Sequence, residues 1–181
     1  MSYMSLVSGR RFEFVRPDVN TFDLRDIVIS LSNKCRFNGQ IEDFYSVAQH
    51  SVLVSYITPP EYAFYGLMHD AHEAMCGDAP AKMKPLLPDY TVLEHEIASA
   101  VRAHFELAPY MPEPVYWADK VALAHEFWHL RGSCPPDLKE YLTGDPVFRN
   151  FKPLEPRAAR ELFLSRFEEL AGSDPQRKPV I

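Results

Sequence analysis

His69, Asp70 and Glu73 interrupt a run whose other positions are mostly apolar at helical spacing (Ala63, Phe64, Leu67, Met68, Ala74). On an α-helix each residue advances about 100°, so Asp70 points about 100° round from His69 and Glu73 about 40°, one turn further along. Three ligand- or base-type groups then share one flank of a helix that its other residues require to be buried. A buried Asp and Glu this close repel each other and lose hydration, at a cost of roughly several kcal/mol if unpaired. A divalent cation removes that cost, but ligands on one helix cannot close a metal site. The fold must therefore bring further ligands to this helix, unless the three groups form a charged patch on an amphipathic surface.

The order His…His-Asp…Asp supplies candidates. His50 lies one helix upstream among Val47, Val52, Leu53 and Val54, and Asp119 lies downstream in the apolar stretch Val115–Leu123. Each has an ordinary explanation alone: a hydrogen-bonded core histidine for His50, a salt bridge between helices for Asp119. The ordered set is more specific than either member.

With 181 residues, 46% hydrophobic and 24% charged, the chain suits one soluble domain with a single core. A net charge of −6 leaves no basic excess for polymeric nucleic acid or an anionic membrane, although a few local cations could still hold a small anion. Cys35, Cys76 and Cys134 are odd in number and widely spaced, which reads as reduced thiols. No apolar run reaches the roughly 18 residues that span a bilayer. A cytoplasmic location is expected.

Periodicity and capping predict helices over 24–35 (after Asp23 as N-cap), from the Ser46-x-x-Gln49 capping box to 56 or 57, and over 61–75, 91–107, 114–131 and 156–171. Arg11–Val15 alternates like one short strand, and residues 78–90 and 133–156 read as loops. The expected architecture is all-α: an N-terminal extension over 1–22, a helical domain over 23–171 and a disordered tail over 172–181. Trp117 and Trp128 are expected in the core, His72 and His95 at the surface, and His104 between helices.

Five pieces of text between residues 23 and 130 together resemble the HD-domain phosphohydrolases, named for the His-Asp doublet. They are Cys35-Arg36-Phe37-Asn38-Gly39, Tyr45–Ser51 with His50, His69-Asp70-Ala71-His72-Glu73, Gly77-Asp78-Ala79-Pro80 followed by Lys84, and Ala118-Asp119-Lys120. The likeness is closest to the small 5′-deoxynucleotidases and the phage-type deoxynucleotide (dATP) triphosphohydrolases. It implies an HD-domain helical bundle in which His50, His69, Asp70 and Asp119 hold a divalent ion (Co, Mn, Zn or Mg), Glu73 positions or deprotonates water, and Asp78 assists. It also implies that Arg36, Phe37, Lys82 and Lys84 contact a deoxynucleotide substrate, and that the protein forms a homo-oligomer in the cytoplasm, the host's for a phage-encoded chain. Gln49 stands where an acidic residue often precedes the first histidine, and Phe37 where the bacterial deoxynucleotidases carry Trp. The chemistry suits these residue types in any case. A divalent ion acidifies water and screens phosphate, a carboxylate handles the remaining proton, and Arg and Lys bind phosphate oxygens.

His125-Glu126-Phe127-Trp128-His129 also spells the zincin protease motif His-Glu-x-x-His. Asp119 and Glu126 are seven residues apart and share a helix face, while His125 lies about 120° from Asp119. Position 135, where a metzincin's third histidine would fall, is Pro135. The expected function is metal-dependent hydrolysis of 2′-deoxyribonucleotides to a deoxynucleoside plus phosphate or triphosphate. The alternatives are a zincin-like protease and a non-catalytic HD-domain nucleotide sensor.

Overall fold

The computed structural model describes residues 2–172, so the expected tail beyond Gly172 lies outside the described residues. The fold is all-α with one small two-stranded sheet. Strand β1 (Tyr3–Ser5) pairs antiparallel with β2 (Arg11–Glu13), Met4 opposite Phe12. The single short strand expected over Arg11–Val15 is β2, and β1 supplies its partner. Phe12 and Phe22 are fully or almost fully buried in the main apolar cluster, so this segment packs against the bundle.

Helix α1 (Leu24–Asn33) starts at Asp23, whose carboxylate accepts the Arg25 N–H. It stops two residues before its expected end because Cys35 leaves the helix to bridge Ser46. Helix α2 (Val47–Ile57) is capped by Ser46 Oγ, which accepts from the Gln49 N–H. The reciprocal half of the box is replaced: the Gln49 side chain donates to the Lys152 carbonyl and accepts the Leu154 N–H, tying down the segment before the last helix. Residues 47–55 of α2 are all buried, so this helix is the axis of the molecule. Val47, Ala48 and Val52 belong to one apolar cluster, and Leu53 and Val54 to a second, in place of the single core expected.

The helix expected over 61–75 is broken. Helix α3 (Ala63–Met68) and the single turn α4 (Glu73–Cys76) are joined by a turn over His69–His72. The N–H groups of Ala71, Glu73, Ala74 and Met75 bond three residues back, to Met68, Asp70, Ala71 and His72. Such tightened turns eclipse residues three apart, which brings Glu73 over Asp70. Apolar residues continue on both sides of the break, so periodicity carries no sign of it.

Helix α5 (Pro88–His104) begins three residues before the expected 91, inside the segment read as loop. Proline fits the first turn, where its missing N–H has no partner to lose. Helix α6 (Glu113–Arg131) ends at Gly132, left-handed at φ 65°. Its buried face is built from Val115, Ala118, Val121, Ala122 and Ala124, small side chains that let it lie close to α2. Trp117 and Trp128, expected in the core, have no room on that face and are about half-exposed. Helix α7 (Pro156–Gly172) packs on α1, α2 and α3. His95 is exposed and His104 packs between Phe22 and Phe105, meeting the latter edge-on, both as expected, but His72 is largely buried beside Glu94.

The α2–α3 contact depends on Gly66. A Cβ there would come 2.8 Å from Thr58 Oγ1, itself engaged with the Val54 carbonyl, and 3.2 Å from Ser55 Cα. Gly66→Ala is expected to cost about 1–3 kcal/mol by overpacking, each kcal/mol lowering Tm by roughly 2–4 °C. An unchanged melting temperature would contradict this packing.

Candidate metal centre

Three elements converge at one end of α2. His50 comes from α2, His69 and Asp70 from the turn after α3, and Asp119 from α6. Nitrogens of His50 and His69 and an oxygen of Asp119 lie within 4.8 Å of one another. His50 Nε2 is 3.2 Å from Asp119 Oδ1 and 3.6 Å from Asp70 Oδ2, and His69 Nε2 is 3.1 Å from Asp70 Oδ2. The four residues expected to act together are thus brought together.

The other nitrogen of each imidazole is committed. His69 Nδ1 lies 2.7 Å from the Gly66 carbonyl, and His50 Nδ1 lies 2.5 Å from Glu126 Oε1. A carbonyl and a carboxylate can only accept, so both Nδ1 atoms carry the proton. Both Nε2 atoms are buried, point into the cluster and have no hydrogen-bond partner, despite the nearby carboxylates. Two convergent imidazoles with fixed tautomers and orphaned Nε2 atoms beside two carboxylates fit a divalent ion.

Electrostatics agree. Burial and the Arg36 guanidinium push His50 down, but Glu126 and Asp119 outweigh them and hold it up at about 9. Burial would raise the Asp70 carboxyl, yet His69 and His50 hold it well below the usual range. Asp119 is held low against burial by His50. Glu73 goes the other way: burial, then the charges of Asp70 and Asp78, push it well up, and its Oε2 has no partner. Burial likewise raises Asp78, which faces Arg36, Asp70, His50 and Lys84.

A pH dependence follows for the metal-free protein. His50 is raised on folding from 6.5 to about 9. Its contribution is fully present below pH 6.5 and is lost as pH rises through 9, a span worth roughly 3 kcal/mol. Urea unfolding in chelator should show the midpoint falling between pH 6.5 and 9.5. A flat midpoint would mean that His50 is not charged in the folded chain. Its partner Glu126 is lowered to about 2 against burial, chiefly by Arg36 and His50, so the same pair is also lost as pH falls from 4.5 through 2.

The expected substrate-contacting residues are placed less uniformly. Arg36 is buried, its Nε and Nη2 on Glu126 Oε2 at 3.2 and 3.0 Å, with Nη1 3.9 Å from Asp70 Oδ2. Phe37, left-handed at φ 54°, sits 5.6 Å from the Arg36 guanidinium and meets Phe127 edge-on. Lys84 is half-buried and holds Glu94 at 2.9 Å. Lys82 is exposed on the 78–87 loop, with no described bond to the cluster. His72, Cys76 and Glu94 form another grouping with metal-type donors, but the Lys84 ammonium already neutralises its carboxylate.

Sequence reasoning missed Glu126 and Tyr45. Glu126 is fully buried and takes bonds from His50, Arg36 and the Tyr45 hydroxyl, the last at 2.7 Å. The signal was present: Glu126 shares a helix face with Asp119. The two histidines of the protease-like motif lie elsewhere. His125 stacks on Phe148 with ring centroids 4.0 Å apart and lines, with His129, Trp128 and Arg149, a cavity of about 410 Å³. Glu126 cannot serve as a base between them.

Among the described residues, no helix is long and apolar enough to cross a membrane. No family model matches the sequence. Over 131 residues it is 30% identical to the uncharacterized protein RCAP_rcc00048 of Rhodobacter capsulatus, 67% of each chain. Over 173 residues, 94% of this chain and 97% of the other, it is 42% identical to the uncharacterized protein YfdR of Escherichia coli (strain K12). The chain belongs to the family of YfdR.

Proposed function

We propose that the protein is a metal-dependent phosphohydrolase of the HD-domain type, acting on 2′-deoxyribonucleotides. The observation that carries this reading is the pair of buried, unpartnered Nε2 atoms on His50 and His69, aimed at one point beside Asp70 and Asp119. A mixed imidazole and carboxylate donor set suits Mn, Co or Zn better than the all-oxygen shell that Mg prefers. When bound, such an ion supplies Lewis acidity, screening phosphate charge and acidifying water.

The chain's own residues account for the rest. Glu73 is eclipsed with Asp70, has one free oxygen, and is pushed up by burial and its acidic neighbours. That is the direction required of a base that takes or orients a proton near neutral pH. Asp78, raised by burial, stands by as a second carboxyl on the same side. Arg36 keeps one nitrogen toward the cluster, where it can meet a phosphate oxygen. Phe37 beside it offers an apolar edge for the sugar or base, and Lys84 adds a cation at the rim.

The test is phosphate and triphosphate release from dNMPs and dNTPs of all four bases with Mn, Co or Zn. Turnover lost with chelator and restored by metal supports the reading. Nucleotide binding without turnover would instead indicate a sensor. Peptide cleavage without nucleotide turnover would indicate a protease.

A further inference from the structure

We propose that Glu126 is a positioning residue that aims two parts of the site at once, His50 toward the metal and Arg36 toward the substrate phosphate. The inference rests on the phosphohydrolase reading and adds a residue to it. The two oxygens of Glu126 are divided between two tasks. Oε1 accepts from His50 Nδ1 and from the Tyr45 hydroxyl, and Oε2 accepts from Arg36 Nε and Nη2. The residue is completely buried, so its orientation is set by these four donors and not by solvent.

A carboxylate present only to stabilise the core would leave its partners satisfied as well. Here His50 and Arg36 each keep one group outside their bonds to Glu126, on the side facing the cluster. His50 Nε2 has no hydrogen-bond partner, and Arg36 Nη1 stands 3.9 Å from Asp70. The backbone reinforces the aim, since the Arg36 N–H donates to the Tyr45 carbonyl at 2.8 Å and Cys35 bridges Ser46 at the start of α2. Helix α6 therefore delivers one ligand, Asp119, and two turns later the group that orients another.

Glu126→Gln separates the two tasks. An amide offers one acceptor where two are needed. The bonds from Arg36 are charge-assisted and claim the carbonyl oxygen. The NH2 group then faces His50 Nδ1 and drives the imidazole proton to Nε2, the atom the metal needs. The Kd for Mn(II) should weaken roughly 10–100-fold, as when a ligand histidine loses its carboxylate partner. A purely structural role would lower the urea midpoint of the chelated protein but leave the Kd of the folded protein unchanged. If Glu126→Gln does not unfold cooperatively, Glu126→Asp is used, which keeps the charge opposite Arg36 but is too short to reach both sides; the same weakening is expected. A Kd within about threefold of the parent, in a variant that melts cooperatively, overturns the proposal. Absence of Mn(II) binding by the parent would instead overturn the phosphohydrolase reading on which it rests.

Discussion

An Asp70→Ala protein is expected to fold, to lose its divalent ion, and to release phosphate slower by on the order of 10³-fold or more. Asp70 Oδ2 lies close to both orphaned imidazole nitrogens, 3.1 Å from His69 Nε2 and 3.6 Å from His50 Nε2. Losing a group that merely orients a ligand costs roughly 10–100-fold in affinity or activity, so losing the carboxylate itself should cost more. The side chain lies at the edge of the cluster, 16% exposed, and its helix turn is held by backbone bonds that alanine retains. The loss should therefore appear in metal content and turnover, not in helicity by circular dichroism. Parental turnover by Asp70→Ala protein stripped of metal would remove the doublet from the chemistry.

Glu73→Gln should give the complementary result: metal retained, turnover reduced by roughly 10²–10⁴-fold, the usual contribution of a positioned general base. Glu73 is 4% exposed and its carboxyl is pushed well up by burial, so an amide of the same shape costs the metal-free fold little. Stability in chelator should equal or exceed the parent's. Full activity in metal-loaded Glu73→Gln protein would assign the proton to another group, Asp78 being the nearest candidate. The two variants together divide the site: Asp70 is expected to govern whether the ion stays, and Glu73 what water does beside it.

Much of this site was legible in the chain because its residues contradict their surroundings. An aspartate in the apolar face of α6 and a histidine in the buried stretch of α2 are costly unless they meet partners, and the structure brings them together. Helix arithmetic also placed Asp119 and Glu126 on one face, away from His125. It could not reveal what lies against that face. The link from Glu126 to His50, Tyr45 and Arg36 spans 76 to 90 residues of sequence and needs three elements to meet. The pairing of Arg36, most of whose fork is taken by Glu126, was hidden for the same reason. The tightened turn over 69–72 was hidden because its flanks remain apolar. The tryptophans misled because size suggests a core position, whereas α6 approaches α2 through alanines.

The central claim is that His50, His69, Asp70 and Asp119 grip one cation, and anomalous diffraction from a crystal soaked in Mn(II) tests it directly. The account predicts one strong peak in contact with His50 Nε2, His69 Nε2 and both aspartates. A peak between His125 and His129, or none near the His69-Asp70 pair, would contradict it.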